Sequence, residues 1–162
     1  MAKLTRSQIR ANRIKWAKYL QDPEREKATG VLEGKEGGFC CLGHGCVAFE
    51  IERWVDDVDD HINYGAKYPD PNDLQAFDAY TAPTQLIDLL GLSDSGGRFI
   101  ASPSSNEYMH SYEFNGVNID CLTALNDSTS CTPQQIGMWL EDCVEGGPGT
   151  PFWSLNTYPE EV

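Results

Sequence analysis

Long apolar runs are missing from this chain of 162 residues. A membrane-spanning helix needs about 20 consecutive apolar residues, and no stretch of the sequence comes near that length. The first six residues, Met1 to Arg6, also lack the apolar core of a signal peptide. These absences predict a soluble protein of the cytoplasm with no membrane partner.

Low-complexity tracts and internal repeats are missing as well, which excludes a disordered chain and a solenoid. Apolar residues make up 40% of the sequence and aromatic residues 10%, as in folded globular proteins. A chain of this length fits one domain and buries about 70% of its unfolded surface. We therefore expect a single domain over residues 1–162.

Basic side chains are scarce beyond residue 35. That part of the chain carries three of the twelve Lys and Arg residues but 21 of the 25 acids, and the net charge of the whole chain is -13. An acidic surface repels phosphates at long range, so nucleic acid is not a favoured partner. The basic N-terminal helix is expected to lie on the acidic body of its own chain.

Helices are predicted from apolar residues spaced three and four apart and from capping sequences. Thr5 and Gln8 fit a capping box at the first helix, which belongs to the basic segment 1–22. The predicted helices run from Thr5 to about Leu20, from the glycine-cysteine stretch (Gly37 to Cys46) to about Trp54, from Pro83 to Leu90 with Gly91 as cap, and from Thr132 to Cys143.

One hairpin is predicted over residues 107–121, because Asn115-Gly116 separates two alternating runs. In that register Phe114 faces Val117, Tyr112 faces Ile119 and His110 faces Cys121. Residues 63–80 are predicted to form a long loop, and residues 150–162 a docked or frayed tail. The whole pattern predicts an α+β fold, a mostly helical single domain with a small antiparallel β-hairpin sheet.

The stretch from Gly37 to Cys46 holds three of the six cysteines and four glycines. Two of those glycines, Gly43 and Gly45, fall in the first turns of a helix, where each costs roughly 1 kcal/mol against alanine. That cost indicates either close backbone packing or a ligand. In a cytoplasmic chain the cysteines are expected to be free thiols or metal ligands rather than disulfides.

The cysteines support two chemical hypotheses. In a thiol hydrolase or amidase, Cys41 or Cys40 is the nucleophile at a helix N-terminus and His110 is the base. In a zinc-stabilised interaction module, the ligands are Cys41 (or Cys40), Cys46, His110 and Cys121. The competing interpretation is that the thiols are small buried hydrophobes.

A third hypothesis is non-enzymatic binding, because the sequence offers no complete catalytic set. An anion is expected at the helix start near Gly43 to Gly45, with basic residues of the first helix close by. No cofactor is implied. The predicted ligand-binding residues are Gly43, His44, Gly45, Arg13, Trp16, Tyr64, Tyr68, Asn126 and Asp127.

The order of the motifs resembles a family of small uncharacterised proteins encoded by tailed bacteriophages. The likeness covers most of residues 12–142 and is most specific at Cys-Cys-Leu-Gly and Leu-Asn-Asp. Family members have an aliphatic residue where this chain has His44, so the resemblance gives His44 no catalytic role. The segments that carry it are Asn12 to Trp16, Phe39 to Gly43 with Cys46, Leu86 to Leu92, and Leu122 to Asp127.

The resemblance implies a viral origin rather than a reaction. The expected function is therefore that of a phage-encoded accessory protein that binds a host protein or a small anionic ligand in the host cytoplasm. The thiol hydrolase and the zinc module remain alternatives, and association with the virion stays open.

Overall fold

A computed structural model describes residues 4–57, 60–65, 77–78, 80–92, 94–102, 105–108, 112–114 and 116–144. The fold is α+β, as predicted, with more of the chain in helices than in strands. The helices are α1 (Arg6–Leu20), α2 (Cys41–Ala48), α3 (Thr84–Leu90), α4 (Leu122–Asp127) and α5 (Pro133–Val144). The strands are β1 (Arg53–Val55), β2 (Ile62–Gly65), β3 (Phe77–Asp78), β4 (Ile100–Ser102), β5 (Ser105–Tyr108), β6 (Tyr112–Phe114) and β7 (Val117–Ile119).

Helix α1 confirms the predicted capping box. The amide of Gln8 donates to Oγ1 of Thr5 at 3.3 Å, and the amide of Thr5 donates to Oε1 of Gln8 at 2.8 Å. The apolar stripe of the helix, which includes Trp16 and Leu20, is buried in the core. The capping box therefore sets where the helix begins, and the apolar stripe sets which face it buries.

Helix α5 begins at the second predicted capping box, formed by Thr132 and Gln135. It packs closely against α1: a Cβ on Gly137 would lie 2.5 Å from the carbonyl oxygen of Ala17. The first and last described helices of the chain are therefore in backbone contact across the core.

Helix α2 ends earlier than predicted, since Ala48 is its last residue and Trp54 lies in β1. Glu50 turns the chain with a left-handed φ of 54°. The amide of Ile51 then donates to the carbonyl of Cys46 at 2.9 Å, the bond that closes a Schellman motif. Because glycine usually occupies the left-handed position, the sequence carried no visible stop signal there.

The predicted loop of residues 63–80 was wrong at both ends. Residues 63–65 belong to β2 and residues 77–78 to β3, in a three-stranded antiparallel sheet of order β1-β2-β3. In its register Arg53 lies opposite Tyr64, and Val55 opposite Ile62. The composition of this segment is typical of a loop. Its first residues nevertheless pair with β1, which precedes them in the chain, and its last residues pair with β2. Residues 66–76 and 79, including Tyr68, lie outside the described residues.

The predicted hairpin is confirmed for its inner part, with Gly116 in the turn between β6 and β7. Strands β6 and β7 pair Phe114 with Val117 and Tyr112 with Ile119, as predicted, and Gly116 has a φ of 82°. The sharp turn thus sits where its sequence signal placed it.

The outer part of the predicted hairpin differs. Strand β5 pairs with β4, and Cys121 forms an isolated bridge with Arg98. His110 lies outside the described residues, so its pairing with Cys121 stays a prediction, and so does the placement of residues 150–162.

Helix α4 was not predicted as a helix. Its N-cap is Cys121, whose sulfur accepts a hydrogen bond from the amide of Ala124 at 3.4 Å. Cysteine is not among the usual capping residues, which are Ser, Thr, Asp and Asn, so the boundary gave no signal. Within the described parts of the chain, every helix is too short or too polar to span a bilayer.

Candidate functional site

The start of α2, the predicted anion site, is occupied by internal hydrogen bonds. The amide of Cys41 donates to Oδ1 of Asn126 at 3.1 Å, and the amide of Gly43 donates to the sulfur of Cys40 at 3.3 Å. Two of the first three amides of the helix are thus already satisfied. This helix start has no free pair of donors for an anion.

Gly43 and Gly45 allow close packing. A Cβ on Gly43 would lie 1.9 Å from the carbonyl oxygen of Leu32. A Cβ on Gly45 would lie 3.2 Å from Nε1 of Trp16 and 3.2 Å from a methyl carbon of Leu86. Of the two explanations that the sequence offered for these glycines, the geometry supports backbone packing.

The thiols near this helix are buried and not activated. Burial raises the pKa of Cys40 to about 12 and raises the pKa values of Cys41 and Cys46 well above the ordinary value of 9.0. A catalytic cysteine needs a shift in the opposite direction. His110, its predicted base, lies outside the described residues, so this geometry gives the thiol hydrolase no support.

The predicted zinc ligands have other contacts. The sulfur of Cys121 lies 3.0 Å from Oγ1 of Thr123, and the sulfur of Cys41 lies 3.8 Å from the carbonyl oxygen of Leu122. Among the residues that the structure describes, no group of three or more His, Cys, Asp or Glu side chains is arranged to hold a metal.

Arg13 and Trp16 bind the backbone of their own chain. Arg13 is buried, and it donates from Nε to the carbonyl of Leu90 at 2.6 Å and from Nη2 to the carbonyl of Gly91 at 2.8 Å. It therefore satisfies carbonyls at the C-terminus of α3, where a cation is favourable. Trp16 donates from Nε1 to the carbonyl of Cys41 at 2.9 Å. Both side chains hold α1 in place.

Asn126 connects three segments of the chain. Besides accepting from Cys41, it donates from Nδ2 to the carbonyl of Ala28 at 2.9 Å and to Oδ1 of Asp127 at 2.8 Å. Both polar atoms of its side chain have protein partners, and the residue is buried. Asn126 therefore joins α4 to the start of α2, and Asp127 supports its side-chain amide by accepting one hydrogen bond.

Tyr64 is a buried member of an ionic cluster whose arginine, Arg53, is exposed. Its hydroxyl donates to Oε1 of Glu33 at 2.6 Å, while Arg53 donates to both oxygens of Glu33 at 2.8 and 3.0 Å. Burial and the neighbouring carboxylate raise the pKa of Tyr64. Only 2% of Tyr64 is exposed, which leaves it no surface for a ligand.

His44 differs from the residues above because it lines a cleft of about 130 Å³. At about 30 Å³ for each water molecule, that volume is room for roughly four. The other lining residues come from the end of α1, from the segment that follows it and from the turn before α2. The lining residues are Tyr19, Glu24, Arg25, Glu26, Gly37, Phe39 and His44.

The imidazole of His44 is 98% buried and has one hydrogen bond, a 2.8 Å contact between Nε2 and the carbonyl oxygen of Glu26. Because a carbonyl only accepts, Nε2 carries the proton and Nδ1 is left as an acceptor. Nδ1 is buried and has no hydrogen-bond partner within the described residues. A buried acceptor without a donor costs about 1–3 kcal/mol.

Aromatic rings surround that imidazole. The ring centroid of His44 lies 5.0 Å from that of Phe39 and 6.0 Å from that of Tyr19. The guanidinium of Arg25 lies 3.6 Å from the centroid of the Tyr19 ring and 3.4 Å from the carboxylate of Asp22. Burial lowers the pKa of His44 to about 4, and the nearby charge of Arg25 acts in the same direction. His44 is therefore neutral at pH 7.

The sequence pointed to His44 but not to the residues around it. Asp22 and Arg25 form an i,i+3 pair, and this was a visible signal that the segment after α1 is ordered. Nothing in the local pattern indicated that residues 24–26 return over α2. That contact joins residues 18 positions apart, Glu26 and His44.

Comparisons of this chain with protein-family models, with curated proteins and with solved structures find no match.

Proposed function

We propose that this protein is a phage-encoded accessory protein that acts by non-enzymatic binding and takes a small ligand in the His44 cleft. The observation that carries the binding site is the buried Nδ1 acceptor of His44, which lacks a donor in a ring that lines a cleft. The phage origin and the place of action, the host cytoplasm, rest on the sequence resemblance and on the acidic composition.

The chemistry of the cleft favours a small flat ligand with an N–H or O–H donor. The donor would satisfy Nδ1, and the rings of Phe39 and Tyr19 offer apolar contact. Nδ1 has no exposed surface, so a neighbouring side chain must shift before the ligand reaches it.

The charge of the lining favours an uncharged or cationic ligand over the anion expected from the sequence. Two of the lining residues, Glu24 and Glu26, are acidic. The guanidinium of Arg25 already has the carboxylate of Asp22 as partner. An anion in the cleft would therefore face more negative charge than positive charge that is free to pair with it.

Binding is favoured over thiol hydrolysis because the three cysteines of the α2 region keep their protons at neutral pH. The raised pKa values of Cys40, Cys41 and Cys46 follow from burial. We expect these thiols to react slowly with iodoacetamide at pH 7 in the folded protein and quickly after denaturation. Fast alkylation of one thiol in the folded state would favour the enzyme instead.

The first test is native mass spectrometry of the protein purified from its expression host, compared with the same sample denatured. A mass excess that disappears on denaturation identifies a bound small molecule. The second test monitors the imidazole nitrogens of His44 by ¹⁵N NMR during titration with benzamidine, benzamide and benzoate, which share one ring and differ in charge. We expect Nδ1 to shift with the first two and not with benzoate.

A matched pair of variants controls this experiment. His44→Phe keeps a ring in the cleft and removes the acceptor, while His61→Phe removes a histidine of the β1–β2 region. Benzamide binding, measured by calorimetry, is expected to disappear in the first variant and persist in the second. If there is no passenger mass and none of the three probes moves the His44 signal, the ligand proposal is wrong.

A further inference from the structure

Strand β1 lies at one edge of the three-stranded sheet. The amide of Gly65 donates to the carbonyl of Glu52 at 2.8 Å, and the amide of Asp56 donates to the carbonyl of His61 at 2.9 Å. Hydrogen-bonded pairs alternate along an antiparallel ladder, so the backbone groups of Arg53 and Val55 point away from β2.

These outward groups are available. No strand in the described parts of the chain pairs with the outer side of β1. Two N–H and two C=O groups, those of Arg53 and Val55, are therefore presented in the extended geometry that another strand recognises. The Val55 side chain beside them is 42% exposed, which is unusual for a large apolar residue here.

The charge around this edge is strongly negative. Residues 50–60 contain six acids and a single base, Arg53, and the guanidinium of Arg53 is held by Glu33 in a two-bond ion pair. Glu50, Glu52, Asp57 and Asp60 are exposed. The carboxylates of this stretch thus attract a cationic partner without competition from a free base.

We propose that the outer edge of β1 binds an extended, lysine- or arginine-rich segment of a partner protein as an added strand. Backbone hydrogen bonds to Arg53 and Val55 fix the segment, and the surrounding carboxylates select its charge. A second copy of this chain is disfavoured on the same edge, because it would bring the same acids together. The surface is separate from the His44 cleft and does not depend on a ligand there.

The probe is an acetylated and amidated hexapeptide of alternating lysine and valine. Its first control replaces each lysine by glutamate, and its second replaces the central residues by proline, which has no N–H for strand pairing. We expect ¹⁵N NMR to show the largest shifts at the amides of Arg53 and Val55 with the lysine peptide. Affinity should fall as salt is raised, since the attraction is partly screened.

Variants of the protein separate strand pairing from charge. Val55→Pro removes an N–H that points away from β2, a position where an edge strand tolerates proline. We expect it to weaken peptide binding about tenfold, the equivalent of one lost hydrogen bond of about 1.4 kcal/mol. Its fold is checked by the unchanged amide signals of β2. Val55→Thr, which keeps the N–H, is its matched control and should bind almost normally.

The charge contribution is tested with a double variant, Glu52→Gln with Asp57→Asn. Its control is Glu113→Gln with Asp142→Asn, which removes two exposed carboxylates from β6 and α5. We expect the first pair to weaken binding and the second to leave it nearly unchanged.

Three results would overturn the proposal. The lysine peptide fails to bind the wild-type protein; Val55→Pro binds it as tightly as Val55→Thr does; or both double variants weaken it equally, which would show general attraction to an acidic protein. A dimer in sedimentation velocity that Val55→Pro disrupts would assign the edge to a second copy instead.

Discussion

The hydroxyl of Tyr64 donates a 2.6 Å hydrogen bond to Oε1 of Glu33, and this contact ties strand β2 to the segment that precedes α2. Arg53, opposite Tyr64 on β1, binds both oxygens of the same carboxylate. Glu33 lies outside the three-stranded sheet. One carboxylate thus joins two neighbouring strands to the helical part of the fold.

Tyr64→Phe is expected to lower the free energy of unfolding by about 1–2 kcal/mol, because a hydrogen bond to a charged group is lost and the ring stays in place. Urea denaturation followed by tryptophan fluorescence measures the change. Tyr112→Phe is the control, since the Tyr112 hydroxyl has no hydrogen bond in the described residues. An equal decrease in unfolding free energy in the two variants would mean that the hydrogen bond to Glu33 does not stabilise the fold.

Glu33→Gln is expected to reduce the loss of unfolding free energy that the wild-type protein shows as the pH falls. The hydrogen bond from Arg53 lowers the pKa of Glu33 below its ordinary value of 4.5, burial opposes this shift, and Tyr64 supports it. A carboxyl whose folded-state pKa is lowered stabilises the fold above its unfolded pKa, and this stability is lost as the pH falls through the folded pKa. Unfolding free energies of both proteins between about pH 6 and 3 measure the difference. Parallel curves would rule out this role.

Gly43→Ala is expected to destabilise the protein by more than about 3 kcal/mol, because the new Cβ would overlap the Leu32 carbonyl and a buried backbone cannot easily move. Gly96→Ala is the matched control, since its Cβ would meet no atom closer than 3.6 Å. Thermal unfolding by circular dichroism compares them. A Gly43→Ala protein as stable as Gly96→Ala would show that α2 does not approach Leu32 this closely.

Glu50→Gly is expected to stabilise the protein by about 0.5–1 kcal/mol. Glu50 has a left-handed φ of 54° at the end of α2, a conformation that glycine adopts without steric cost. Glu50→Ala removes the same charge and keeps the Cβ, so it should not stabilise the protein. If chemical denaturation ranks alanine at or above glycine, the backbone explanation fails and charge accounts for the effect.

Local signals in the sequence were enough for much of the helical fold. The capping boxes at Thr5 and Thr132 and the glycine cap at Gly91 each act within a few residues, so the pattern predicts them directly. The turn at Gly116 is equally local. The boundaries that were missed, at Glu50 and Cys121, use residues that rarely serve in those positions.

The candidate site needed contacts that the sequence does not display. His44 stood out because it lies in the glycine-cysteine stretch, but Arg25 and Glu26 reach it only after the chain has turned back over α2. At Cys40 the local pattern was misleading. A cysteine at a helix start suggests reactivity, whereas burial of that thiol is a property of the whole fold.

The backbone contact between Gly137 of α5 and Ala17 of α1 has a consequence for synthesis in the cell. Until the ribosome has released α5, the apolar stripe of α1 lacks the helix that covers it. In a nascent chain Leu20, which lies against Gly137, therefore stays accessible to chaperones, and the core closes after translation has passed α5. A chain stalled on the ribosome before residue 133 would be a target for proteases.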